Sequence, residues 1–132
     1  MARNTAELSN WSGPGTDHGG ADYGEMIIAL RGFLASLAGA RPGGQLVEQL
    51  DYAFRDWTAR LDACQVDEVD QVYARRSDLV GRGQATWPAI RFTDFDASSL
   101  RGTVRIDRFF LGRGGVAHGG IIPLLFDEFA GR

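Results

Sequence analysis

His118, Gly119, Gly120 and Asp127 are the residues whose types and spacing can act together on a carbonyl group. They lie in the last stretch of the chain, FFLGRGGVAHGGIIPLLFDEFAGR, where a glycine-rich loop runs into a strongly apolar segment. A helix starting at that loop offers unpaired N–H groups and a partial positive charge at its first turn. Glycine there lets a ligand approach the backbone closely. The Gly119 amide can therefore polarise a carbonyl and hold the oxyanion that forms on attack. His118 is better suited to orienting the loop than to acting as base. Asp127 is the chemical partner, either as a general base that activates water or as a direct nucleophile.

Nine helical residues rise about 13 Å and turn through about 900°, which would set His118 and Asp127 on opposite faces of one helix. Reacting groups work at about 3 Å, so a single helix cannot bring Gly119 and Asp127 to one carbonyl. Two antiparallel helices related by a two-fold axis can. A catalytic site built from these residues is expected to be shared between subunits.

The elements that must position them are legible from periodicity. Residues 1–20 are polar, contain Gly and Pro, and read as a flexible tail. From Asp22, with Glu25 three residues on as a capping box, Met26, Ile27, Leu30, Phe33, Leu34 and Leu37 recur at helical spacing. After Arg41-Pro42-Gly43-Gly44, a second helix carries Leu46, Val47, Leu50, Phe54, Trp57 and Leu61 on one stripe. Together they predict a helical hairpin over 21–64. Cys64, at its end, is read as a small core filler. Residues 65–87 lose the period and read as an irregular linker. From Pro88 the pattern alternates: Ile90 and Phe92, a turn at Asp96–Ser99, then Gly102, Val104 and Ile106 against Thr103, Arg105 and Asp107, a β-hairpin. The helix that follows is apolar almost all round, apart from Asp127 and Glu128, and so needs protein on every side. Pro123 is tolerable in its first turn. Two strands cannot wrap such a helix, so the chain is expected to be part of a longer protein.

The run Gly115-Val116-Ala117-His118-Gly119-Gly120, with Asp127 nine residues after the histidine, resembles the hotdog-fold acyl-CoA thioesterases of the phenylacetate-pathway (PaaI-like) group. The resemblance covers about residues 86–132. It implies that His-Gly-Gly opens a long central helix, that an acidic residue follows two and a half turns along, and that a curled antiparallel sheet wraps the helix. The implied fold class is α+β: an N-terminal helical hairpin followed by the first part of a hotdog fold over 88–132. The implied activity is hydrolysis of an acyl-CoA thioester by a homodimer or homotetramer without a cofactor. Asp127, Gly119 and His118 take the catalytic positions, and Gly120 and Arg113 contact substrate. Arg101, Arg105, Arg108 and Arg113 are placed to meet coenzyme A phosphates, or simply form a solvated face. The chain departs from the family pattern at Gly112, where members often carry Asn, and in lacking the strands that follow the helix.

Composition bounds the alternatives. The 132 residues suit one domain, and 44% apolar and 23% charged residues are ordinary for a globular chain. A net charge of −3 gives no basic field for nucleic acid. No apolar run reaches a membrane span and no secretory h-region opens the chain, so a cytoplasmic location is expected. All 14 basic residues are arginine, and one cysteine provides neither a disulfide nor a structural zinc site. His118 also reads as a plain loop residue, and Asp127 as a polar helix edge beside Glu128. The second His-Gly-Gly, at His18, has no apolar helix directly after it and reads as coincidence. Gly112-Arg113-Gly114-Gly115 lacks the Gly-Lys-Ser/Thr of a phosphate loop. Two other functions compete: a thioester-binding or structural remnant of a hotdog protein, and a helical protein-interaction module working through 21–64.

Overall fold

The computed structural model describes residues 19–96 and 98–130. Its described part is an α+β arrangement of three helices and a two-stranded antiparallel sheet: α1 (Tyr23–Ala38), α2 (Gly44–Asp62), β1 (Ile90–Phe95), β2 (Leu100–Val104) and α3 (Ile121–Ala130). The tail over 1–18, with His18, lies outside the described residues.

The two N-terminal helices form where their apolar spacing places them. They meet through Phe33 and Phe54, whose rings stand edge to face with centroids 5.4 Å apart. Two details differ from expectation. Asp22 makes no side-chain cap, because its own φ/ψ of −82°/−5° is already helical, whereas a capping side chain reaches its amides from an extended residue. Cys64 is exposed and is no core filler. It follows the end of a helix that buries none of its residues, so no core exists there for it to fill.

The buried core residues come instead from α1, the chain leading into β1, β1 itself and α3. Ile27, Ala85, Pro88, Ile90 and Ile121 are its buried apolar residues. Polar groups stitch the same region. Arg31 of α1 donates from Nε to Asp107 at 3.0 Å and from Nη1 to the carbonyls of Gln84 and Trp87 at 3.1 and 2.8 Å. Arg76 is buried and forks onto Asp78 at 2.8 and 2.7 Å, and its guanidinium lies over the Tyr23 ring. The Tyr73 hydroxyl accepts from the Ala85 and Thr86 amides. Residues 65–87 contain only short turns, yet Arg76, Gly83, Gln84 and Ala85 within them are buried.

One of these turns is left-handed throughout. Gly81, Arg82 and Gly83 have φ of +68°, +58° and +68°. A side chain at Gly83 would be strained by that φ and would press on Tyr23, Arg76 and Leu79 at 3.0–3.2 Å. The turn points Arg82 at α3, where it meets Glu128 at 2.9 Å.

The β-hairpin is in the expected place, with β2 ending at Val104. Ile90 pairs with Val104 and Arg91 with Thr103, and a bulge between Phe92 and Asp94 shifts the register. Asp96 closes the turn. Its carboxylate accepts from the Ser98 and Ser99 amides at 2.7 and 2.8 Å and from both serine hydroxyls at 2.8 Å.

Candidate active site

The loop before α3 is folded on itself. Leu111 and Ala117 form an antiparallel bridge, the Gly112 amide donates to Val116 at 2.7 Å, and the His118 amide donates to Phe110 at 2.9 Å. Arg113 sits exposed in the Arg113–Gly115 turn at the tip of this loop. α3 begins at Ile121, later than the expected start at His118. His118, Gly119 and Gly120 therefore form the turn entering the helix, closed by the Ile121 amide on the His118 carbonyl at 2.9 Å.

Within this turn His118 has a defined job. Its Nδ1 accepts a hydrogen bond from the Gly120 amide at 3.2 Å. That bond needs an unprotonated Nδ1 and leaves Nε2 to carry the ring proton. The imidazole thus holds the Gly-Gly backbone in place. Gly119, between them, is exposed, and its amide has no hydrogen-bond partner among the described residues. Nothing stands within 4 Å of where its Cβ would be. An unpaired donor thus sits on an exposed residue just ahead of a helix.

Asp127 is not brought to this turn by its own chain. About 9 Å of helix rise separates it from Ile121. Its side chain is exposed, on the face of α3 that also shows Ile122 and Phe126, 54% and 70% exposed. As expected of a helix that two strands cannot wrap, this chain covers α3 on one side only. Ile121 and Glu128 are buried, Leu124, Leu125 and Phe129 are half-buried, and the opposite face is open. The cause is the supply of neighbours: Phe92 of β1 meets Phe129 edge-on at 5.4 Å and Arg82 meets Glu128, both on one side of the helix.

The pair Arg82–Glu128 escaped the sequence reading, which singled out only the neighbouring Asp127. No motif marks it; the only local signal is the glycine on each side of Arg82. Arg31–Asp107 was equally silent. No cluster of three metal-ligating side chains occurs among the described residues. No helix among them is long and apolar enough to cross a membrane.

The described residues define an α+β chain with an unpaired, exposed amide just ahead of its last helix. Comparison with known proteins finds no matching family model, no matching curated protein and no matching solved structure.

Proposed function

We propose that the chain hydrolyses an acyl-CoA-type thioester as a homo-oligomer of hotdog type, with Gly119 of one subunit and Asp127 of another serving one site. The observation that carries this reading is the Gly119 amide, exposed and unpaired among the described residues, in a turn held by the His118–Gly120 hydrogen bond. A donor held in advance stabilises an oxyanion without reorganising. Asp127 supports it by being exposed on the uncovered face of α3, within reach of a second chain and out of reach of its own Gly119. In the reaction the thioester carbonyl oxygen takes the Gly119 hydrogen bond. As a base, Asp127 accepts a proton from water as the water oxygen bonds to the carbonyl carbon. The tetrahedral intermediate then expels the thiolate, which takes up that proton. As a nucleophile, Asp127 would form an acyl anhydride and release the thiolate, and water would then cleave the anhydride. Gly120 and Arg113, in the same loop, line the approach of substrate.

The test is complementation between two inactive variants. Asp127→Asn should lower turnover by at least about 10²-fold, the lower end for losing a general base. Gly119→Pro removes the amide hydrogen and should also inactivate. Mixed chains regain one intact site in each heterodimer, and random pairing makes half the dimers mixed. About a quarter of wild-type activity should therefore return. Near-normal turnover by Asp127→Asn, or no recovery once subunit exchange is shown, overturns the shared site.

A second reading, a helical interaction module, is favoured by α2. Val47, Phe54, Trp57 and Leu61 are 47–64% exposed along one stripe. With the half-buried Leu50 they fall on the first and fourth positions of successive heptads, the seam by which helices pair. Binding that survives deletion of residues 86–132 would favour this reading over hydrolysis.

A further inference from the structure

Beside the β-hairpin and α1 lies a cleft of about 260 Å³, lined by Arg31, Val80, Ala89, Arg91, Thr103, Arg105 and Asp107. Three guanidiniums border it, and they are not equivalent. Arg31 is committed: its donors go to Asp107 and to the Gln84 and Trp87 carbonyls. Asp107, the only carboxylate of the lining, is thereby neutralised. Arg91 and Arg105 are exposed and make no ion pair or hydrogen bond among the described residues. The cleft thus presents two uncommitted positive charges and the Thr103 hydroxyl.

The sheet register explains why these groups converge. Arg91 pairs directly with Thr103, and Arg105 is two residues beyond Thr103, just past the end of β2. A direct pair has its Cβ atoms about 5 Å apart and a diagonal one about 7–8 Å, within reach of two arginine side chains closing on one ligand. Continuing the register past Ile90–Val104 sets Ala89 across from Arg105. Its single methyl leaves open the space that a larger residue would fill.

We propose that this cleft binds the phosphoryl end of a small ligand, a diphosphate or phosphomonoester carrying about two negative charges. Two forked guanidiniums offer more donors than one carboxylate accepts, and their planar geometry matches pairs of phosphoryl oxygens. The volume is below the roughly 300–1,000 Å³ of pockets that enclose a whole ligand, so the cleft holds the phosphoryl group and leaves the remainder outside. The proposal does not rest on thioester hydrolysis, since it involves neither Gly119 nor Asp127; of the arginines that the resemblance sets toward coenzyme A phosphates it uses only Arg105.

Isothermal titration of the full chain with inorganic diphosphate tests it, with ADP as a second ligand. Saturable one-site binding is expected, weakening as salt is raised. Arg91→Gln and Arg105→Gln should each weaken it about tenfold, the loss of one charge-assisted hydrogen bond. Arg105→Lys, which keeps the charge and loses the fork, should fall between wild type and Arg105→Gln. Arg55→Gln, on α2 and away from the cleft, should bind as wild type does. ADP bound as tightly as diphosphate, or more tightly, points to a nucleotide source. Diphosphate bound more tightly points to a free one. No saturable diphosphate binding, ADP binding without diphosphate binding, or an equal loss in Arg55→Gln would each overturn the proposal. Unchanged thermal melts of the glutamine variants establish that any loss lies in the cleft.

Discussion

Single side chains decide several properties that neighbours of the same type do not share. The Asp96 carboxylate is the clearest case: hydrogen bonds from the Ser98 amide, then from the Ser98 and Ser99 hydroxyls, pull its pKa down from 3.8 to about 2. A carboxylate with a depressed pKa stabilises the fold fully above its unfolded pKa, and the contribution is lost as pH falls through the folded value. Asp96→Ala should therefore melt at a lower temperature than wild type at pH 7, and the gap should close between about pH 4 and pH 2. A gap that stays constant over that window would mean the turn does not depend on the charged carboxylate. Asp78, held low by its hydrogen bonds from Arg76, adds to acid sensitivity with the same sign. Cys64 is expected to react with a thiol reagent in native buffer, and Cys64→Ser should change stability by no more than about 0.5 kcal/mol, as surface substitutions do. Protection of the thiol until denaturant is added would contradict its exposure.

Among the elements, α3 depends most on borrowed contacts. One side chain in its buried face is a carboxylate, and the Arg82 guanidinium that meets it comes from a left-handed turn 46 residues earlier in the chain. Arg82→Met removes that cation beside a buried acid and should cost about 1–3 kcal/mol. Arg82→Gly loses the same charge but relieves the positive φ, so it should cost less, by about 1 kcal/mol. Equal losses in the two variants, measured by denaturant unfolding, would mean the backbone at Arg82 is unstrained. The hairpin, by contrast, carries its own register through cross-strand pairs and the Asp96 turn.

Across the whole molecule, apolar surface is the dominant unsettled quantity. Ile122 and Phe126 on α3, and Val47, Phe54, Trp57 and Leu61 on α2, stay largely open to solvent. Burying a side chain of this kind fully is worth about 1.5–3 kcal/mol. Contiguous exposure on two elements is the signature of an association surface. The chain should therefore self-associate at tens of micromolar. Ile122→Ser with Phe126→Ser should shift light-scattering mass toward the monomer. A cooperatively melting wild-type monomer at high micromolar concentration would refute this, and with it the shared site.

Local periodicity determined α1, α2, the β-hairpin and the helix after His-Gly-Gly, because each is specified by residues within a few positions of one another. The Asp96 turn and the helix-breaking Gly-Pro segment were legible for the same reason. What the tertiary structure decided is which side chain on each element faces inward. Asp127 and Glu128 are adjacent carboxylates on one apolar helix; a rotation of about 100° separates them, and the contacts of Phe92 with Phe129 and of Arg82 with Glu128 mark the side that is buried. Arg31–Asp107 and Arg76–Gly20 join residues 76 and 56 positions apart, a pairing that no local pattern encodes. The positive φ of Arg82 was hidden too, since nothing in an arginine side chain favours that conformation.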